Sequence, residues 1–220
     1  MSSKILQMGK ITKKKKPKHN TGMVRKVNTI HNTPDKNSRN LNKRMADESR
    51  KTQNVFTRGR KKIHILFDGV GIQRAIIRMI NKQETAFVVG CIAWLSNKQI
   101  LAAMAKKKGG CIICTKDTLT KGIRNQRAYK AIKPAYPGGV IRVVGEGKGW
   151  HKSLMHHKFL VGLNSQGKPI WVTNGSFNFT TSATSNLENL MVMEDEDVAD
   201  CYFREFRRVH ALSQPLKLKV

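Results

Sequence analysis

Two short segments of the chain carry polar side chains whose types and spacing suit the cleavage of a phosphodiester. His156 and Lys158 lie two residues apart, and Ser176 and Asn178 repeat that spacing further along. Side chains two residues apart point to the same face of a strand. With a hairpin between the two segments, the pattern predicts that four polar groups meet where two adjacent strands end.

Phosphodiester cleavage needs a nucleophile, a cation to balance the phosphate charge, and donors for the phosphate oxygens. The imidazole of His156 can attack phosphorus, and the ammonium of Lys158 can balance the charge. The hydroxyl of Ser176 and the amide of Asn178 can hold the oxygens that do not leave. Gly175, directly before Ser176, allows a close approach of the backbone.

Apolar patterning around these segments predicts an α/β domain. Strand patterns run over 63–67, 86–95, 111–115, 140–144, 154–161 and 169–173. Helical patterns run over 72–80, 96–105, 122–133 and 198–212, and Ser96 is the expected N-cap of the second helix. Strand–helix–strand connections favour right-handed crossovers. We therefore expect a mixed, mostly parallel sheet flanked by helices on both faces.

The first 62 residues differ in composition from the rest of the chain. They carry 19 Lys and Arg against 3 Asp and Glu, and so contribute +16 of the formal net charge of +28. Such a segment buries too little apolar surface to offset its ordering entropy. We expect a basic, largely disordered arm over 1–56 and a folded domain over 57–220.

The net charge predicts a polyanionic partner, which is DNA, RNA or an anionic membrane surface. A run of four lysines in the arm is typical of a nucleic-acid-binding arm or a nuclear import signal. A second basic group follows the glycine-rich loop 145–149. The predicted nucleic-acid contacts are Lys13, Lys14, Lys15, Lys16, Lys148, His151 and Lys152.

Neither a membrane span nor a zinc site is expected. The longest apolar run, 86–95, is shorter than the roughly 20 residues of a membrane span, and the first eight residues lack the apolar stretch of a secretory signal. Cys111 and Cys114 have zinc-knuckle spacing, but they lie in a strand pattern and no second pair follows. We expect core thiols and a soluble cytoplasmic protein, with the nucleus as the alternative in a eukaryotic cell.

Three neighbouring features receive structural interpretations. His157 is predicted to point to the face opposite His156 and to pack or form a hydrogen bond there. Trp171 is predicted to lie in the core. The acidic run 194–197 is predicted to cap the last helix through the helix dipole.

The pattern His156-x-Lys158 followed by Gly175-Ser176-x-Asn178 resembles the HKD signature of the phospholipase D superfamily, in its branch of small endonucleases with a single motif. The segment 186–189 resembles the downstream glutamate segment of that family. The resemblance covers roughly 57–209, and it implies the phospholipase D-like fold.

One position departs from the family signature. The full signature is HxKxxxxD, and Leu163 occupies the place of the aspartate. In the family that aspartate usually supports the strand and the hairpin. The loss is therefore compatible with activity, with weakened activity, or with a protein that has lost its activity.

The resemblance also implies a role for each matching residue. His156 would attack phosphorus and form a phosphohistidine, while Lys158, Ser176 and Asn178 would hold the phosphate oxygens. Glu188 would hydrogen-bond an active-site histidine and orient it. This chemistry implies no metal ion and no other cofactor.

The same resemblance implies a homodimer. A family active site needs two motifs, and this chain has one. His156 of one copy would attack while His156 of a second copy protonates the leaving group, across a two-fold axis.

Three functions fit these observations. The first is an endonuclease that cleaves DNA, or alternatively RNA, with little sequence preference. The second is a phospholipid hydrolase of the cardiolipin-cleaving type, which would need a membrane-binding apolar segment. The third is a catalytically weak nucleic-acid-binding protein of the same fold, supported by Leu163. The charge and the basic arm favour the first.

Overall fold

A computed structural model describes residues 53–58, 61–116, 122–145 and 154–218 of the chain. The strands are β1 (Gln53–Arg58), β2 (Lys61–Asp68), β3 (Phe87–Ile92), β4 (Gly109–Thr115), β5 (Ile141–Val144), β6 (Lys158–Leu163), β7 (Pro169–Gly175), β8 (Leu187–Glu194) and β9 (Gln214–Pro215). The helices are α1 (Gly69–Asn81), α2 (Lys98–Ala105), α3 (Ile123–Lys130) and α4 (Glu196–Leu212), with a 3₁₀ turn at Ser182–Ser185. The predictions for Lys13, Lys14, Lys15, Lys16, Lys148, His151 and Lys152 lie outside the described residues.

The nine strands form one mixed sheet in the order β1-β2-β8-β7-β6-β3-β4-β5-β9. Only β3–β4 and β4–β5 pair in parallel, and the other neighbouring pairs are antiparallel. The sheet is mixed as predicted, but it is not mostly parallel. The strand–helix–strand pattern correctly describes β3 to β5, whereas a hairpin joins β6 to β7 and antiparallel pairing continues into β8.

Three strands were not predicted from the sequence. Strands β1 and β9 lie at the two edges of the sheet, and β8 is the strand that contains Glu188. Strand β1 begins at Gln53, on the N-terminal side of the boundary predicted at residue 57. The predicted division into arm and domain remains a prediction.

Helices cover both faces of the sheet, as predicted. Apolar residues of α1 and α2, with Tyr129 of α3, join one core cluster on the first face. Ala199, Phe206 and Val209 of α4 join a second cluster on the opposite face. The strands between these layers are buried on both sides, which explains their continuous apolar patterns.

Side-chain caps fix where the helices begin. Asp68 accepts hydrogen bonds from the backbone N–H groups of Val70 and Gly71 at the start of α1. Asn97, and not Ser96, caps α2, because its side-chain oxygen accepts hydrogen bonds from the backbone N–H groups of Gln99 and Ile100. Asp195 caps α4, so the predicted capping role of the acidic run is confirmed.

Three of the four cysteines are core residues. Cys91, Cys111 and Cys114 are buried on β3 and β4, and burial raises the pKa of the Cys111 thiol to about 12. Within residues 61–116, 122–145 and 154–218, no helix has both the length and the apolar character that crossing a bilayer requires.

The C-terminal end of β6 is tightly packed. Leu163 is 2% exposed, and its carbonyl accepts a hydrogen bond from the N–H of Ala86 at 2.8 Å. Trp171 of β7 lies against Gly162, where a Cβ atom would be 2.1 Å from the indole ring. The indole N–H donates to Thr85 Oγ1 at 2.8 Å, which confirms Trp171 as a core residue.

Candidate active site

The predicted catalytic residues lie at one end of the central strands, where β6 begins and β7 ends. Ile92 at the end of β3 pairs with Lys158 on one side, and Phe159 pairs with Asn174 on the other. This register sets Lys158 opposite Gly175, at the end of β7. Both predicted segments therefore lie at the same end of these strands, although Ser176 and Asn178 lie just beyond β7.

Lys158 is a buried cation with several partners. Lys158 is 6% exposed, and its Nζ donates to the backbone carbonyl of His156 at 2.9 Å. The same ammonium lies 5.7 Å from the ring centroid of Trp94. Burial lowers the pKa of Lys158, and the carboxylate of Glu188 opposes that shift.

His156 lies against the same tryptophan. The two ring centroids are 5.4 Å apart and the rings are nearly perpendicular, at 81°. Burial lowers the pKa of the His156 imidazole, and the positive charges of Lys158 and His157 lower it further. The ring is therefore mostly neutral near pH 7, which is the state that can act as a nucleophile.

Ser176 is fixed by residues of β8. Its Oγ donates a short hydrogen bond to the carboxylate of Glu188 and accepts one from the N–H of Asn189 at 3.0 Å. A Cβ atom at Gly175 would lie 2.2 Å from the carbonyl oxygen of Asn189, so only glycine fits. The close backbone approach predicted at Gly175 is confirmed.

Asn178 continues the alternation that begins at Ser176. Phe177 and Phe179 are fully buried, whereas Ser176 is exposed and Asn178 is half-buried. The amide oxygen of Asn178 is itself buried and has no hydrogen-bond partner among the described residues. The role of Asn178 in holding a phosphate oxygen stays a prediction.

Glu188 links the two predicted segments. It accepts the hydrogen bond from Ser176, and it is the charge that opposes the lowered pKa of Lys158. A second hydrogen bond comes from the side-chain amide of Asn186 at 3.4 Å. The hydrogen bond from Glu188 to a histidine remains a prediction.

His157 lies on the side of β6 that faces α4. Its Nε2 is 3.2 Å from a carboxylate oxygen of Glu205, which also accepts two hydrogen bonds from Arg208. Arg208 is the main cause of the lowered pKa of Glu205. The prediction that His157 packs or forms a hydrogen bond is confirmed by its contacts with Glu205 and Phe159.

A cavity of about 600 Å³ adjoins His156 on the α4 side. Its walls are mainly apolar, and Arg208 and His157 supply polar groups. The apolar walls are formed by Val144, Leu154, Met155, Val209 and Leu212.

Sequence analysis missed Trp94 and Asn189 as residues of the site. Trp94 contacts both His156 and Lys158, and the N–H of Asn189 donates to Ser176. Trp94 lies near the end of the strand predicted over 86–95, but that pattern gave no sign of its contacts with His156 and Lys158. Asn189 acts through its backbone and also through its side-chain oxygen, which accepts a hydrogen bond from the N–H of Ser176 at 3.2 Å.

Comparisons with known proteins agree with this fold. Residues 76–210 match the family model described as the cardiolipin synthase, PLD-like domain. An uncharacterised protein of Acanthamoeba polyphaga mimivirus is 25% identical over 185 residues, which cover 67% of this chain and 65% of that protein. The mitochondrial cardiolipin hydrolase of Canis lupus familiaris is 39% identical over 64 residues, 29% of this chain and 23% of that protein. The chain thus spans less than two thirds of either relative.

Two solved structures share the fold. NucT from Helicobacter pylori superimposes with a TM-score of 0.55 at 14% identity, covering 71% of this chain and 99% of that chain. The phospholipase D family member Nuc from Salmonella typhimurium gives a TM-score of 0.51 at 16% identity, with the same coverage. The family match spans more than half of the chain, so this protein belongs to the phospholipase D-like family.

Proposed function

We propose that this protein is a phosphodiesterase that cleaves DNA with little sequence preference, through a phosphohistidine and without a metal ion. The observation that carries the proposal is that His156 and Lys158 lie next to each other at the beginning of β6. A mostly neutral imidazole lies beside a buried ammonium, which is the combination that attack on an anionic phosphate requires.

The proposed reaction has two steps. In the first, a ring nitrogen of His156 attacks phosphorus, a P–N bond forms, and the P–O bond to the leaving group breaks. A second imidazole donates its proton to the leaving oxygen. In the second step that imidazole takes a proton from water, whose oxygen attacks phosphorus and releases His156. Lys158, Ser176 and Asn178 hold the phosphate oxygens in both steps.

The second imidazole comes from a second copy of the chain. Seven large apolar side chains are well exposed in the part of the chain that the structure describes. Five of the seven belong to segments at the same end of the strands as the site. These are Phe67, Val70, Leu154, Leu187 and Leu212. Exposed apolar side chains around a polar site are typical of an interface, which supports a two-fold dimer centred on His156.

The charge of the chain supports a nucleic acid as the substrate. Residues 1–62 contribute +16, and residues 63–220 carry the remaining +12. Contacts between Lys or Arg and backbone phosphates give affinity without sequence preference. Both the arm and the folded domain can therefore contribute to binding DNA.

The test is cleavage of plasmid DNA by the full chain in excess EDTA, with His156→Ala and His157→Ala as a matched pair. We expect cleavage by the wild type and by His157→Ala, and none by His156→Ala. Intact plasmid with the wild type would contradict the nuclease proposal. Loss of activity in EDTA would contradict the metal-independent mechanism, and a monomer by light scattering would contradict the shared site.

A second candidate function is hydrolysis of a phospholipid of the cardiolipin type. It is favoured by the 39% identity to the dog mitochondrial cardiolipin hydrolase over 64 residues. Liposomes that contain cardiolipin distinguish the two functions. Release of phosphatidic acid without plasmid cleavage would establish the lipid activity, and DNA binding without either reaction would indicate a catalytically weak binding protein.

A further inference from the structure

We infer that Trp94 is a positioning residue that holds the nucleophile and the phosphate-binding cation of this site against one indole ring. The inference rests on the proposed function, because it assigns those two roles to His156 and Lys158. Its physical basis is that one indole ring contacts both side chains at once.

The backbone on either side of Trp94 is fixed by two different parts of the chain. The N–H of Ala93 donates to the carbonyl of His157 at 2.9 Å, which extends the pairing of β3 with β6. Leu95 bridges to Phe179, just past Asn178, and the N–H of Ser96 also donates to the carbonyl of Phe179. Trp94 is therefore held between the two segments that carry the predicted catalytic residues.

The two contacts of the indole ring are complementary. The His156 ring meets it edge-on, in a favoured arrangement for aromatic pairs. The Lys158 ammonium lies over it within the distance at which a cation is attracted to an aromatic ring. The ring therefore favours the charged lysine and covers one side of the His156 imidazole, which remains exposed on its other side.

The indole ring can affect the protonation of His156 through the side of the imidazole that it covers. His156 is exposed as a residue, yet partial burial of its ring is the largest cause of its lowered pKa, ahead of the charges of Lys158 and His157. The charged groups on and around this segment are Lys158, His157, Glu188 on β8, and Glu205 and Arg208 on α4. A substitution at Trp94 leaves all of these charges in place, so its effect on the pKa reports the loss of the indole contact.

The test compares Trp94→Leu and Trp94→Phe with the wild-type full chain. Histidine titration by NMR, assigned with His156→Gln, should show that the pKa of His156 rises towards the ordinary value of about 6.5 in Trp94→Leu. Trp94→Phe, which keeps an aromatic ring, should keep most of the lowering. We expect kcat to fall about tenfold in Trp94→Leu, with a smaller change in KM.

Thermal unfolding is measured alongside, so that a folding defect is recognised. If Trp94→Leu does not fold, the wild type gives a second readout, since a protonated imidazole quenches a neighbouring indole. The Trp94 fluorescence is identified as the part of the signal that is lost in Trp94→Phe. In the wild type this signal should change with the protonation of His156, and in His156→Gln it should no longer change over that pH range.

Two results would overturn the inference. One is an unchanged His156 pKa in a folded Trp94→Leu variant, and the other is indole fluorescence that does not follow His156. Both readouts are independent of catalysis, so they test Trp94 even if the chain cleaves no DNA. Conversely, plasmid cleavage with no titration effect would reject the role of Trp94 and leave the nuclease proposal intact.

Discussion

The two ends of strand β6 differ in chemistry although all six residues of the strand are buried. At the N-terminal end, Lys158 is an ammonium that contacts the His156 carbonyl and the Trp94 ring. At the C-terminal end, Leu163 packs in an apolar cluster, beside the glycine that accommodates Trp171. One end of the strand holds a charge at a cost in solvation, and the other end stabilises the sheet.

This difference clarifies the departure from the family signature. The histidine and lysine of HxKxxxxD lie at the polar end of β6, whereas the aspartate position lies at the apolar end. At about 3.3 Å per residue, the two ends are about 16 Å apart. Leucine in place of the aspartate at position 163 therefore affects the packing of the strand. The groups at the polar end are the same as in the signature.

The largest expected effect is at the polar end. Replacing Lys158 with Met should lower kcat/KM for DNA cleavage about a thousandfold, because it removes the ammonium that balances the phosphate charge. Stability should be unchanged or higher, because a desolvated cation becomes an apolar side chain of similar length. Steady-state kinetics measure the loss of activity, and thermal unfolding measures the stability. Lys158→Arg, which keeps a positive charge, is the control. A large loss of stability would contradict the assignment.

The opposite result is expected at the apolar end. Leu163→Asp restores the signature but should destabilise the fold by about 3 kcal/mol, because it places a carboxyl group in an apolar cluster. Urea unfolding measures the loss, and Leu163→Met is the control of similar volume. Cleavage per folded molecule, well below the melting temperature, should stay close to wild type. Higher stability with a gain in activity would show that the departure does weaken the site.

The sequence predicted the polar end of β6 better than its surroundings. The i, i+2 spacing of His156 and Lys158, and that of Ser176 and Asn178, predicted that the two segments lie at the same end of adjacent strands, as they do. The catalytic roles of the four residues stay predictions. Strand β8 was missed because its exposed and buried residues do not alternate cleanly, and so the bond between Ser176 and Glu188 was missed as well. Trp94 was missed because the contact joins residues far apart in the chain, which no local pattern encodes.

A smaller effect is expected from Glu188, which acts on the polar end from β8. Glu188→Gln can still accept the hydrogen bond from Ser176, but it removes the charge that opposes the lowered pKa of Lys158. That pKa should fall further, so the ammonium is lost at a lower pH. We expect about a tenfold loss of kcat/KM near pH 7, because the ammonium loses the carboxylate that stabilises its charge, and a lower Lys158 pKa when the lysine is titrated by NMR. An unchanged Lys158 pKa would show that Glu188 serves only to position Ser176.

The smallest effect concerns the pH optimum, which tests whether the polar end stays desolvated in the working enzyme. In a symmetric dimer one His156 must be neutral and the other protonated, so kcat/KM peaks midway between the two apparent pKa values of the pair. Burial and Lys158 lower the pKa of His156, so the neutral form persists to lower pH and the protonated form becomes scarce first as pH rises. The optimum should therefore lie below about pH 6.5, with a decline of several-fold by about pH 8. Initial rates measured in excess EDTA at constant ionic strength provide the profile. An optimum above about pH 7.5 would mean that the second copy surrounds His156 with negative charge, and the polar end of β6 would then have to be described from the dimer and not from one chain.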